Sequence, residues 1–450
     1  MFLSEIQRHS ELLGDRTALA SGAETISWAQ LWPMAQALAA GLRRSGTGPV
    51  AVMGEREPWV PAAFLACLIA GRPYLPCPPS LPAGRRAELL VRTGAEPLER
   101  LQAERGFFSG ERCEMAEDTD RTAYLLFTSG STGGPKQVAV SVSNLDHFLC
   151  WARTLPGVAG AAAGVVAGQA AYTFDLSVAD LYLALTCGGT HLALRKEELS
   201  EPAALFRQLG LWGANLLVCT PSLLRLCLLD SAFTPALLPE LKAVFSCGEV
   251  LPHRTAGRLL ERFPGIRLFN AYGPTECTCA VCAAEITRDQ CTGVLPVGVL
   301  SGAAANISLE KGEIVIRGES VAPAYGETYH TGDLGHVRHG RLYWDGRKDF
   351  QIKFKGYRIE PAEIEAALES LEGVGRAAVL PRRDSSGQVR GLTAFIEGDC
   401  GREELAAALQ KRLPAYMVPG EWRFLQQIPL NDRGKCDRRA LEEMLYGGRD

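Results

Sequence analysis

Short apolar runs alternate with helical stretches through the first two-thirds of this chain, and no other feature restricts its fold as much. Val50-Ala51-Val52-Met53 reads as a strand and is followed by an apolar helical stretch, Val60 to Ala70. Leu216-Leu217-Val218-Cys219 precedes a helix beginning near Ser222. Ala243-Val244-Phe245 precedes another from about Pro252 to Phe263, and Arg267-Leu268-Phe269 comes next. Strands separated by helices pair in parallel, because a parallel neighbour is reached only through a crossover. In such sheets ligands bind at strand ends. Beyond about residue 300 the character changes. Glu313-Ile314-Val315-Ile316-Arg317 and Arg341-Leu342-Tyr343-Trp344 read as strands of a smaller β-rich part. From Phe350 onward the pattern is α+β, with a helix opened by Pro361.

At 450 residues the chain is too long for one small core. It is 47% hydrophobic and 22% charged, with a net charge of −4 and no basic patch, which argues against nucleic acid as a partner. The most apolar stretch is too short to span a bilayer, so membrane insertion is not expected. Met1 to Arg16 lacks the apolar core of a signal peptide. The 14 cysteines lie scattered through apolar segments and read as reduced thiols of a cytoplasmic protein. Cys277, Cys279 and Cys282 have a spacing that suggests a metal, but a zinc site needs a fourth ligand, and core thiols fit better.

The strand-like run Ala123-Tyr124-Leu125-Leu126-Phe127 leads into Thr128-Ser129-Gly130-Ser131-Thr132-Gly133-Gly134-Pro135-Lys136. A turn this rich in backbone N–H groups and hydroxyls, closed by a cation, can wrap a phosphate. A plain surface loop is the bland alternative. The Walker A pattern fails, because Pro135 precedes the lysine and Gln137 follows it.

Further motifs follow in order: Phe174-Asp175-Leu176-Ser177, Asn270-Ala271-Tyr272-Gly273-Pro274-Thr275-Glu276, Thr331-Gly332-Asp333, Gly346-Arg347-Lys348-Asp349, Lys355-Gly356-Tyr357-Arg358-Ile359-Glu360 and Gly434-Lys435-Cys436-Asp437-Arg438. Each alone is weak. The ordered series resembles the adenylate-forming superfamily of nonribosomal-peptide adenylation domains, acyl-CoA ligases and luciferases. Within it the chain is most similar to the D-alanine–carrier protein ligases, through Phe174 to Tyr182, Cys247-Gly248-Glu249-Val250-Leu251-Pro252 and Asp349-Phe350-Gln351-Ile352-Lys353. The resemblance implies an α/β fold. A large N-terminal domain, 1–348, would hold helix-wrapped, mostly parallel sheets plus a small β-barrel-like part. A small mobile α+β C-terminal domain, 349–450, would turn about a hinge at Asp349.

The resemblance also implies a two-step reaction. An amino-acid carboxylate attacks the α-phosphate of ATP, and the phosphopantetheine thiol of a carrier protein then takes the acyl group. The carrier is expected to be a separate protein, since no carrier segment is recognisable in the chain.

Residue roles come from the same likeness. Lys435 would bridge the carboxylate and the α-phosphate, where a cation stabilises developing charge. Glu276 would hold Mg²⁺, Tyr272 would stack on adenine, Asp333 would accept from the ribose hydroxyls, and Arg347 would lie near ribose and phosphate. ATP contacts would also come from Thr128, Ser129, Gly130, Ser131, Thr132, Gly133, Lys136, Asn270, Ala271, Gly273 and Thr275. Asp175 would pair with the substrate ammonium, although an Asp there also suits a helix N-cap. Gly356 would approach the pantetheine. The substrate lining carries over as Asp175, Leu176, Ala179, Val218, Phe245, Cys247, Ala271, Cys279 and Ala280. It is apolar apart from the acid, so a small or hydrophobic amino acid fits. Ala179 and Ala271 stand where the D-alanine ligases usually have Met and Thr, which enlarges the pocket. His330 replaces an Arg usual before Thr331-Gly332-Asp333. A stand-alone adenylation enzyme for another amino acid in peptide biosynthesis is the alternative; an acyl- or aryl-CoA ligase would have no ammonium for Asp175.

Overall fold

The computed structural model describes residues 1–128, 135–384, 388–398, 400–430 and 436–446. The chain separates into two compact units. The first comprises Met1–Pro79, Leu90–Leu126 and Val138–Lys348, and the second Ser80–Leu89, Phe127–Gln137 and Asp349–Asp450.

Three sheets shape the first 348 residues. One has eight strands in the order Cys282–Glu285, Arg267–Tyr272, Ala243–Ser246, Ala214–Cys219, Val165–Gly168, Thr190–Ala193, Thr17–Ser21, Glu24–Ser27. Its six inner strands run parallel and only the two edge pairings are antiparallel. Another orders Glu96–Leu98, Val50–Val52, Tyr74–Pro76, Thr122–Thr128 and Lys136–Ser141. The third is the β-rich part: five antiparallel strands ordered Gly298–Val299, Arg341–Arg347, Thr328–Arg338, Glu313–Arg317, Asn306–Glu310.

Local chemistry sets the elements. Every residue of the helix Trp59–Ala70 is buried, which explains why it has no polar face. Gly71, at φ +79, ends it in the left-handed conformation a Cβ would disfavour. Ser141 accepts the Asn144 N–H, and the Asn144 side chain takes the Ser141 N–H, so the helix Val142–Thr154 starts on a reciprocal cap.

In the second unit Ile352–Phe354 pairs with Tyr357–Ile359. Lys355 and Gly356 both take positive φ between them, the geometry of a tight hairpin turn. Val374–Arg383, Val389–Gly398 and Glu421–Leu425 form a three-stranded sheet, with helices Pro361–Glu369, Arg402–Gln410 and Arg438–Tyr446. Tyr357 stacks on Tyr416 at 3.6 Å, and Arg85 pairs with the buried Glu363 at 2.9 Å.

Candidate active site

Three neighbouring parallel strands, one helix and the stretch after one 3₁₀ turn carry the expected substrate lining, all within the first unit. Leu176 and Ala179 lie on the helix Leu176–Thr186, Val218 near the end of its strand, Phe245 and Cys247 at the next, and Ala271 on the third. Cys279 and Ala280 follow a short 3₁₀ turn, Thr275–Cys277. These eight residues fall in one contiguous buried cluster. Asp175 sits at the N-cap position of the helix, but its side chain makes no capping hydrogen bond. It is only 6% exposed. A carboxylate so deeply placed costs free energy unless a cation or donors meet it.

The backbone at the turn is unusual. Thr278 and Cys279 both have positive φ, 59° and 69°, which non-glycine residues rarely adopt. A Cβ on Gly273 would lie 2.5 Å from the Ala280 Cα and 2.8 Å from the Cys279 oxygen, so the two segments approach as closely as only glycine allows. Burial pushes the Cys279 thiol well up, and the Asp175 and Cys247 charges add to it. Cys277, Cys279 and Cys282 are buried free thiols, and among the described residues no three or more His, Cys, Asp or Glu side chains gather as a metal-binding group.

A second group of side chains gathers on Asp333. Its Oδ2 accepts from the Tyr272 hydroxyl at 2.7 Å. Its Oδ1 accepts from Trp344 Nε1 at 3.0 Å and Arg347 Nη1 at 2.9 Å. Asp333 is 2% exposed and lies in the strand Thr328–Arg338, so it is not a simple turn residue. Burial drives the Tyr272 phenol well above its ordinary pKa, and the Asp333 charge adds to this. Next to Tyr272, Asn270 donates from Nδ2 to the Pro296 carbonyl at 2.8 Å. That pins the amide and leaves its Oδ1 buried without a partner among the described residues, an acceptor suited to an adenine amino group. Glu276 is wholly buried in the 3₁₀ turn, and a carboxylate there suits a hard cation.

Lys435 and the loop residues Ser129, Gly130, Ser131, Thr132 and Gly133 lie outside the described residues. Thr128 ends a strand, with its Oγ1 buried and unpartnered among the described residues, and Lys136 begins the next.

Sequence reasoning missed Trp344. A β-bulge between Leu334 and Gly335 shifts the register and brings it beside Asp333, and strand alternation carries no signal of that. It also missed the buried pair Asp180–His191, 3.0 Å apart, which ties the lining helix to the strand Thr190–Ala193. Burial raises the Asp180 pKa even though His191 opposes the shift.

The AMP-binding enzyme family matches residues 6–98 and 97–326, and the AMP-binding enzyme C-terminal domain matches 363–435. The D-alanine--D-alanyl carrier protein ligase of Bacillus licheniformis is 35% identical over 98% of this chain and 99% of its own length. That of Bacillus velezensis is 35% identical with the same coverage. The fold is similar to a Vibrio cholerae adenylation domain, AlmE, solved in complex with glycyl-adenosine-5'-phosphate. The TM-score is 0.84 at 22% identity, covering 99% of this chain and 98% of that one. It is also similar to holo-PA1221, a nonribosomal peptide synthetase protein with adenylation and PCP domains. There the TM-score is 0.82 at 24% identity, covering 98% and 84%. The chain belongs to the AMP-binding enzymes, the adenylate-forming, AMP-releasing ligases.

Proposed function

We propose that the protein activates a small amino acid, D-alanine in the first instance, with ATP and passes it to the phosphopantetheine thiol of a separate carrier protein in the cytoplasm. The observation that carries this reading is Asp175. It is a buried carboxylate at a helix start, beside apolar lining, and its side chain does not cap the helix. An ammonium is the natural counter-charge for such a group.

The substrate ammonium pairs with Asp175, and its side chain rests against Ala179, Val218, Phe245 and Cys279. Asn270 reads the adenine amino group, Tyr272 packs on the base, and Asp333 accepts from the ribose. Glu276 would hold Mg²⁺, which when bound offsets phosphate charge. A carboxylate oxygen of the amino acid bonds to the α-phosphorus while the bond to pyrophosphate breaks. Lys435 supplies positive charge between the two anions as they meet. In the second step the thiol attacks the acyl carbonyl and AMP leaves, with Gly356 admitting the pantetheine and rotation at Asp349 separating the steps.

The small residues Ala179 and Ala271 favour a second reading, a larger amino acid on a carrier for peptide assembly. Thioester formation with labelled D-alanine, L-alanine and leucine, on a D-alanyl carrier protein or on CoA, tests both. Transfer of D-alanine to the carrier and not to CoA is expected. Transfer only to CoA would refute the carrier reading.

A further inference from the structure

The ribose-side carboxylate has a support that neither the motif series nor the family likeness assigns. Glu313 opens the strand Glu313–Arg317, and its side chain is only 12% exposed. Its Oε1 accepts the Gly332 N–H at 2.9 Å, and its Oε2 accepts from Lys348 Nζ at 2.7 Å. His330 Nδ1 lies 3.5 Å from the same Oε2. Gly332 has φ +72, the left-handed region that favours glycine. Its carbonyl accepts the Lys348 N–H at 2.8 Å. Both polar groups of Gly332 are thus held, one by Glu313 and one by Lys348.

Asp333 is the next residue. Tyr272, Trp344 and Arg347 orient its carboxylate, whereas Glu313 and Lys348 hold the backbone that carries it. The Lys348 side chain is 44% exposed, so its ion pair alone contributes little. The amide-to-carboxylate bond is charge-assisted and mostly shielded, and it carries more. Burial works to raise the Glu313 pKa, but Lys348, the Gly332 amide and His330 outweigh it and hold the carboxyl below its ordinary value.

We propose that Glu313 is a positioning residue for the nucleotide ribose: it clamps Gly332 so that Asp333 presents its carboxylate, and Lys348 ties that clamp to the chain one residue before Asp349. The inference rests on the reading of Asp333 as the ribose acceptor.

The test is amino-acid-dependent pyrophosphate release with ATP and with 3′-deoxy-ATP, using wild type, Glu313→Gln and Lys348→Met. Wild type should prefer ATP in kcat/KM by about tenfold or more, the worth of one hydrogen bond to a charged acceptor. Glu313→Gln should raise KM for ATP about tenfold and shrink that preference. KM for the amino acid should stay within about twofold, since nothing at Asp175 changes. Lys348→Met should raise KM for ATP about threefold, in keeping with an exposed ion pair. It keeps the test open if Glu313→Gln does not fold. A merely structural role would lower the melting temperature and move both KM values together. An unchanged ATP preference in the variants, with the wild-type preference intact, overturns the role of Glu313. No preference in wild type overturns the Asp333 reading itself, and this proposal with it.

Discussion

Asp333 and Arg347 form a buried charge pair, 2.9 Å apart and with 2% and 8% of their side chains exposed. Removing one charge strands the other in a low-dielectric setting. Asp333→Asn should therefore cost about 3 kcal/mol or more of stability, read as a lower melting temperature. It should also weaken the upward shift of that temperature on adding ATP, because ligand stabilisation follows affinity. A normal ATP-induced shift in a destabilised variant would leave the pair a structural role only. Glu313 gives a pH signature. Its folded pKa lies below the ordinary carboxylate value. The stability it contributes is thus fully present above the unfolded value, about 4.3, and is lost as pH falls through the folded value. Wild type and Glu313→Gln should differ in melting temperature at neutral pH and converge in acid. A difference that persists undiminished well below pH 4 contradicts the shift.

Individual elements carry the site through close approach. Gly273 lets the end of one strand pass against Cys279 and Ala280, and a methyl there meets main-chain atoms that cannot swing away. Gly273→Ala should cost about 1–3 kcal/mol and raise KM for the amino acid, because the displaced segment carries Cys279 and Ala280 of the proposed lining. Unchanged kinetics and melting would show that this crossing has slack. Most of this architecture was legible in sequence. Val218, Phe245 and Ala271 lie on strands recognisable by their apolar runs, and the motif likeness placed Cys279 and Ala280 beside them. What was not legible depends on register. The bulge at Leu334 that delivers Trp344 shifts the pairing by one residue, and Glu313 looked like an ordinary strand residue. The role proposed for it depends on the left-handed backbone of Gly332 inside the strand Thr328–Arg338, which period-two alternation does not encode.

At the scale of the whole molecule, the proposed mechanism takes its ammonium partner, Asp175, and its ribose acceptor, Asp333, from the first unit and gives the joining of the two anions to Lys435. Lys435→Ala should therefore damage adenylation far more than transfer from a preformed aminoacyl-adenylate, because only the first step joins two anions. Equal loss in both half-reactions would contradict that division. Among the described residues no helix is long and apolar enough to cross a membrane. The most direct measurement is pyrophosphate release with ATP and Mg²⁺ across a panel of D- and L-amino acids, with wild type beside Asp175→Ala and Lys435→Ala. The account predicts a signal strongest for D-alanine and lost in both variants. Silence across the panel, or a signal that survives loss of Asp175, would contradict it.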